Sequence, residues 1–228
     1  MSAPEFDPYS NDYKSLVNES LAFSGLDVDY FTRVKAEYLK DILLKTFGKT
    51  DVDVLDLGCG IGNYHTLLRP ALRSLAGIDV SSESIKIAGT RNVDTTYKVF
   101  DGADIPFPEK TFDVVFAVCV FHHVPVAARA TLIEDARRVL RDGGIFVIFE
   151  HNPINPLTMR VVNRCVFDKD AVLLKSPEAE GLLANGGFKD VRSRFILTVP
   201  SFNRVTRMLD QSFGRLPLGA QYFSMGRL

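Results

Sequence analysis

The chain alternates short apolar runs with segments in which apolar residues recur at helical spacing. Helical spacing is clear between positions 29 and 47, where the apolar positions are Phe31, Val34, Tyr38 and Ile42. Further along, Val114-Val115-Phe116-Ala117-Val118 is a continuous apolar run. Such a run is typical of a strand that is buried on both faces, as in a parallel sheet.

Strand and helix patterns then follow one another through the middle of the chain. The predicted strands cover 52–57, 75–78, 96–100, 113–118 and 145–149, and later 191–197 and 221–225. Helical patterns separate the first five strands, and this alternation predicts an α/β fold with a doubly wound sheet. Residues 1–27 are polar with scattered aromatic residues, and we interpret them as either a lid or a frayed terminus.

Composition narrows the class of protein without naming a function. The 228 residues carry a formal net charge of -1 and 46% apolar side chains, which is ordinary for one globular domain. The near-neutral charge argues against a nucleic-acid partner. No apolar run reaches the roughly 18–20 residues of a membrane span, and residues 1–7 lack the features of a signal peptide. The three cysteines form no Cys-x-x-Cys pair, which favours a reducing compartment, so we predict a cytoplasmic protein.

A glycine-rich turn follows the first predicted strand. Its glycines are Gly58, Gly60 and Gly62, and the second predicted strand ends at Asp79. The glycines let the backbone approach a ligand, and an acid at the end of the second strand can bind a ribose diol. Asp56 precedes the turn, where its charge disfavours a phosphate and favours an ammonium group. S-adenosylmethionine has both an adenosine end and an amino-acid end, so it satisfies these conditions.

Residues 54–62 resemble the first motif of class I S-adenosylmethionine-dependent methyltransferases, in particular the methyltransferase type 11-like family. The resemblance continues in the family's order through Asp79 and through 100–108, 112–115, 121–124 and 138–144. It implies a Rossmann-like α/β fold with a doubly wound, seven-stranded sheet and helices on both faces. In this fold the sheet is mostly parallel and its last strand is antiparallel.

The same resemblance implies one methyltransferase domain over residues 1–228. Within it, 1–47 would form an N-terminal lid and helix, 48–150 the cofactor-binding core, and 151–228 a C-terminal part that completes the sheet and the acceptor site. The methionine end of the cofactor would contact the backbone of Gly58, Cys59 and Gly60, with Asp56 near its ammonium group. Tyr13 is a candidate for the part of the lid that covers the cofactor.

The adenosine end of the cofactor has its own predicted contacts. The resemblance implies that Asp79 accepts hydrogen bonds from both ribose hydroxyls. Asp101 would bind the exocyclic amine of adenine, and the Gly102 N–H would face a ring nitrogen. The remaining predicted contacts are apolar or small residues around the ring and under the sulfonium: Val80, Ile105, Val118 and Cys119.

Histidines follow the predicted strands at the edge of the sheet where ligands bind. His122 and His123 come after the fourth strand, and His151 comes after the fifth. An imidazole can take a proton from an acceptor hydroxyl near neutral pH, so each of the three is a candidate general base. A structural role is the alternative for each. No group of residues has the sequence spacing of metal ligands, so no metal is predicted.

We therefore predict a methyltransferase that acts on an oxygen or nitrogen of a small molecule, glycan or glycolipid and releases S-adenosylhomocysteine. The glycan alternative comes from a loose resemblance of 150–160 and 215–223 to a subgroup linked to glycan or glycolipid modification. Two other functions stay open. One is a nicotinamide-dependent oxidoreductase on a similar fold, and the other is an inactive partner subunit that binds S-adenosylmethionine.

Overall fold

The computed structural model describes residues 13–22, 25–200 and 203–228. One seven-stranded sheet runs through it, with strand order β3-β2-β1-β4-β5-β7-β6. The strands are β1 Asp53–Leu57, β2 Ser74–Asp79, β3 Thr96–Val99, β4 Phe112–Val118, β5 Leu140–His151, β6 Lys189–Ile196 and β7 Gln221–Arg227. Strands β1 to β5 pair in parallel, whereas β7 is antiparallel to both β5 and β6. The predicted sheet, with its antiparallel last strand, is confirmed.

Eight α-helices accompany the sheet in the described part of the chain. They are α1 Tyr13–Leu21, α2 Val28–Phe47, α3 His65–Leu68, α4 Ser82–Arg91, α5 Val126–Val139, α6 Pro156–Val162, α7 Ser176–Asn185 and α8 Arg204–Ser212. Helix α2 begins where the Asp27 side chain accepts a hydrogen bond from the Tyr30 N–H, and it ends at Gly48 in the left-handed conformation. These two signals fix the helix that the apolar spacing predicts.

The sheet has a separate apolar core on each face because successive strand residues point to opposite sides. On one face, Val115 and Phe146 pack among residues of α5 and α7. On the other face, Val114, Phe116 and Val147 pack among residues of α2. Helices therefore cover both faces, as predicted, and the central strands are buried on both sides.

Two elements differ from the sequence-based expectation. The predicted turn at 142–144 lies inside β5, which begins at Leu140. The pairing of β4 with β5 shifts in register between Phe112 and Val114, so the extra residues of β5 around the two glycines are accommodated within the strand. Gly143 has a φ of 80° in this segment. Residues 13–21, which carry no helical prediction, form α1, and three of its residues (Val17, Ser20 and Leu21) line a cavity.

Candidate active site

A cavity of about 590 Å³ opens at the edge of the sheet where the parallel strands end. Its walls come from the turn after β1, the segments after β2, β3 and β4, and residues of α1, α2, α6 and β7. Small-molecule sites measure roughly 300–1,000 Å³, and ligands of open α/β sheets bind at this edge. The cavity is therefore the candidate active site.

The turn after β1 depends on glycine for two different reasons. Gly58 and Gly60 have φ of 76° and 51°, which is the left-handed region that favours glycine. A Cβ on Gly58 would lie 2.5 Å from Val120 Cγ2, whereas a Cβ on Gly60 would have no neighbour within 4 Å. Gly58 therefore allows the turn to pack closely on Val120, and Gly60 leaves the cavity open to a ligand. Cys59, between them, also lines the cavity.

Asp79 ends β2 and lines the cavity beside this turn. Its Oδ2 accepts a hydrogen bond from the Gly60 N–H at 2.8 Å, and its Oδ1 accepts one from the Ser81 N–H at 2.9 Å. Burial raises the pKa of the carboxyl, and these N–H groups only partly oppose that effect. Each oxygen keeps a further lone pair. The carboxylate therefore fits a diol that would donate one hydrogen bond to each oxygen.

Asp56 is fully buried beneath the turn and does not line the cavity. Its Oδ2 lies 2.9 Å from His65 Nε2, and the Nδ1 of His65 is hydrogen-bonded to the Tyr97 hydroxyl. Burial raises the pKa of Asp56, while the contact with His65 lowers it. Asp56 thus supports the turn from behind through a buried side-chain network, and its contact with the ammonium group stays a prediction.

The predicted adenine contacts divide into two groups. Val80, Asp101 and Gly102 line the cavity. The Asp101 carboxylate accepts hydrogen bonds from the N–H groups of Asp104 and Ala103, both at 2.9 Å, and these bonds lower its pKa. Ile105 belongs instead to the apolar core and is 2% exposed, so it lies behind the cavity wall.

Val118 and Cys119, at the end of β4, both line the cavity as well. Cys119 has a φ of 57°, an uncommon backbone conformation for a residue with a side chain. Its N–H donates to the carbonyl of Phe149 at 2.8 Å, so the strained turn stays tied to β5. Burial raises the pKa of this thiol and also that of Cys59. Neither cysteine therefore has the character of a thiolate nucleophile.

His122 is held between two carboxylates at the inner wall of the cavity. Its Nδ1 lies 2.5 Å from Glu150 Oε2, and its Nε2 lies 3.4 Å from Asp168 Oδ1. Burial lowers the pKa of His122, but the negative charges of Glu150 and Asp168 outweigh burial and hold it well above its usual range. The raised pKa favours the charged form of His122, which cannot accept a proton.

His123 and His151 differ from His122 in charge. The ring centroid of His123 lies 4.1 Å from that of His122, and the ring centroid of His151 lies 5.3 Å from it. Burial and the positive charge of His122 lower the pKa of both to about 4. Both imidazoles are thus neutral at pH 7 and can accept a proton. The structure brings together all three predicted candidate bases and gives them different protonation states.

The lowered pKa of His123 and His151 should make the free energy of unfolding depend on pH. Between about pH 6.5 and pH 4, unfolded imidazoles bind protons that folded His123 and His151 do not. The free energy of unfolding should therefore fall as the pH is lowered through this window, as measured by urea unfolding. The contribution of His122 has the opposite sign: it is fully present below its unfolded pKa and is lost as the pH rises through its raised folded pKa. The variant His151→Asn should lose part of this fall in the free energy of unfolding. An unchanged dependence of the unfolding free energy on pH would contradict the lowered pKa of His151.

Lys35, Asp168 and Gln221 are among the polar residues of the cavity that carry no sequence-based prediction. Lys35 on α2 lies with its Nζ 5.8 Å from the centroid of the Tyr64 ring. Asp168 ends a short 3₁₀ helix, Val166–Asp168, and Gln221 begins β7. These residues lie far from His122 along the chain, and only the fold brings them to the cavity. No local sequence pattern therefore indicates them as site residues. The side chain of Tyr13 lies outside the described part of the structure.

A family model described as a methyltransferase domain matches residues 55–148, which run from β1 to β5. The chain belongs to the class I S-adenosylmethionine-dependent methyltransferases. This confirms the predicted family and its cofactor. The matched residues contain the glycine turn, Asp79, Asp101 and the His122–His123 pair, so the methyltransferase domain supplies about half of the residues that line the cavity.

Curated relatives share this methyltransferase core. Squalene methyltransferase 1 of Botryococcus braunii is 31% identical over 166 residues, which are 67% of this chain and 43% of that protein. Demethylmenaquinone methyltransferase of Thermotoga maritima is 31% identical over 153 residues, 66% of this chain and 61% of that protein. The chain thus spans less than half the length of the first relative and less than two thirds of the second.

A solved structure matches this chain over nearly all of its residues. It is an S-adenosylmethionine-dependent methyltransferase of Thermotoga maritima, a possible histamine N-methyltransferase. The TM-score is 0.70 at 17% identity, and the match covers 99% of this chain and 98% of that one. At this identity the match supports the fold alone. In the described residues, no helix is both long enough and apolar enough to cross a membrane.

Proposed function

We propose that the protein transfers the methyl group of S-adenosylmethionine to an oxygen or nitrogen of a small acceptor with an apolar body, and releases S-adenosylhomocysteine. One observation carries the proposal: Gly60 and Asp79 line the same cavity as His123 and His151. Residues suited to the cofactor and residues able to remove a proton therefore face one space. When bound, the cofactor supplies an electrophilic methyl group on a sulfonium.

The residues of this chain that suit the cofactor hold its two ends. Asp79 is the residue for the ribose diol, because each of its oxygens keeps an acceptor position after binding a backbone N–H. Asp101 and Gly102 are the residues for adenine, and the open backbone at Gly60 is the contact for the methionine end. Fixing both ends aligns the sulfonium, and alignment supplies much of the rate of an in-line displacement.

We assign proton removal from the acceptor to His151. The raised pKa of His122 favours its charged form, and the Nε2 of His123 points to Asp168 at 3.5 Å. His151 is neutral, and its Nδ1 lies 3.3 Å from the side-chain amide of Gln221, which orients the ring. With the amide oxygen of Gln221, otherwise without a partner among the described residues, turned to accept from the Nδ1–H, the other ring nitrogen of His151 keeps its lone pair for the proton. A base so oriented takes the proton as the oxygen or nitrogen attacks the methyl carbon.

The walls of the cavity favour an acceptor with an apolar body. Leu157, Val161 and Leu197 line it together with Val17 and Leu21 of α1. Two relatives are named for squalene and demethylmenaquinone, which are apolar molecules. A glycolipid meets this condition through its lipid part better than a free glycan does. Methylation of a carbon atom is the second candidate function, and it is favoured by the relative named for squalene, a hydrocarbon.

The experiment is a methyl-transfer assay with isotopically labelled S-adenosylmethionine. Each apolar alcohol, phenol or amine in the panel is paired with the same compound carrying a capped heteroatom. We expect label in the free compound, absent from the capped one, with the product heavier by one CH₂ group. Label on carbon would favour the second candidate. Binding of S-adenosylhomocysteine without transfer to any acceptor class would instead support an inactive partner subunit.

A further inference from the structure

We propose that His122, His123 and Asp168 form a binding site for one divalent metal ion of the zinc type at the inner wall of the cavity. One ligand atom from each of the three residues lies within 4.8 Å of the others. The set is a pair of imidazoles and a carboxylate, which are borderline and hard donors that together suit zinc, iron(II), cobalt(II) or manganese. No sequence motif indicates this metal site, because Asp168 lies far along the chain from the two histidines.

The distances between donors match a metal site better than a set of hydrogen bonds. His122 Nε2 and His123 Nε2 lie 3.4 and 3.5 Å from the same oxygen, Asp168 Oδ1. Well-formed N–H···O hydrogen bonds measure about 2.7–3.2 Å. Ligand atoms around a tetrahedral zinc ion, with bonds of about 2.0–2.2 Å, are about 3.4 Å apart. The remaining pair, one ring nitrogen from each histidine, lies within the 4.8 Å span of the three ligand atoms.

Glu150 orients the ring of His122 in the way that a carboxylate orients a metal-ligating histidine. Its Oε2 lies 2.5 Å from His122 Nδ1, and its Oε1 accepts a hydrogen bond from the Phe121 N–H at 2.9 Å. A ligating histidine usually donates its other ring N–H to a carboxylate, which fixes the ring and its tautomer. The pair Glu150–His122 thus presents Nε2 toward Asp168, and a bound ion takes the place of the proton that the charged form of His122 carries on Nε2. The carboxylate charges of Glu150 and Asp168 also offset the charge of a bound cation.

The open side of this site faces the cavity, which also contains His151. A role for the metal in the reaction rests on the proposed function. An acceptor hydroxyl bound at the open position would be more acidic. Its proton would pass to His151, its oxygen would form the bond to the methyl carbon, and the electron pair of the broken C–S bond would stay on the neutral sulfur of S-adenosylhomocysteine.

The test is a titration of the metal-free full chain with zinc and, separately, with cobalt(II). We expect one equivalent bound per chain by calorimetry and visible absorption bands from the bound cobalt. Asp168→Asn removes the anionic ligand at constant size and should weaken binding at least tenfold. His123→Asn is a second variant, at a half-buried position, and should have the same effect. Asp170→Asn changes the same charge at an exposed position two residues away and should leave binding unchanged.

Absence of stoichiometric binding, or equal binding by Asp168→Asn and the unaltered chain, would overturn the site. Far-ultraviolet circular dichroism and binding of S-adenosylhomocysteine show whether each variant is folded. Because the titration needs neither cofactor nor acceptor, its failure is distinct from failure of the proposed methyl transfer. A chain that binds the cofactor but no metal would retain the proposed function and lose only this inference.

Discussion

Replacing Asp79 by asparagine should weaken the binding of S-adenosylhomocysteine by roughly a hundredfold. A hydrogen bond to a charged group contributes about 1.5–3 kcal/mol, and 1.4 kcal/mol corresponds to about a factor of ten in affinity. Asp79 has an acceptor position left on each oxygen for the ribose diol. Asparagine retains only one of the two oxygens, and its amide group also faces a backbone N–H that needs an acceptor.

Titration calorimetry with S-adenosylhomocysteine measures this effect directly. Asp104→Asn is the matched control, because Asp104 is exposed on the nearby loop and its carboxylate does not line the cavity. Thermal unfolding of both variants shows whether Asp79→Asn loses affinity through loss of the fold. If a folded Asp79→Asn variant binds as tightly as the unaltered protein, the ribose role of Asp79 is wrong.

Replacing His151 by asparagine should lower turnover at saturating acceptor by roughly 10²–10⁴-fold, the usual contribution of a positioned general base. Affinity for S-adenosylhomocysteine should change little, because His151 lies among the residues assigned to the acceptor. The comparison variant is His122→Asn. Removing one partner of a buried charged pair costs about 3–5 kcal/mol of stability, so this variant should unfold more easily as well as lose activity.

The two histidine variants separate a base from a residue that positions its neighbours. A shift of the acid limb of the pH–rate profile should accompany His122→Asn, because the charge of His122 lowers the pKa of His151. Full turnover by a folded His151→Asn variant would show that another group removes the proton. His123, whose pKa is also lowered to about 4, would then be the next candidate.

The sequence predicts the sheet well because its strands carry a strong physical signal. β4 is apolar at nearly every position, which is typical of a parallel strand buried on both faces, and the structure buries it so. The glycine turn and Asp79 are also predictable, since both follow strand ends that must meet at one edge of the sheet. For these residues, local pattern and position in the fold carry the same information.

Other parts of the site depend on contacts that the sequence does not display. Asp56 has the right spacing for an ammonium contact, but its carboxylate is bound to His65 below the turn. Ile105 is apolar like a residue that packs on adenine, yet it is buried in the core. Asp168 reaches His122 only because the segment after α6 folds back over the end of β4. Tertiary packing decides each of these positions.

The most direct test of the central claim is a thermal-shift comparison of S-adenosylhomocysteine with NADH. A ligand at a hundred times its dissociation constant stabilises the folded state by about 2.7 kcal/mol. We predict a concentration-dependent rise in the unfolding temperature with S-adenosylhomocysteine, none with NADH, and a much smaller rise for Asp79→Asn. Stabilisation by NADH without stabilisation by S-adenosylhomocysteine would contradict it and favour an oxidoreductase.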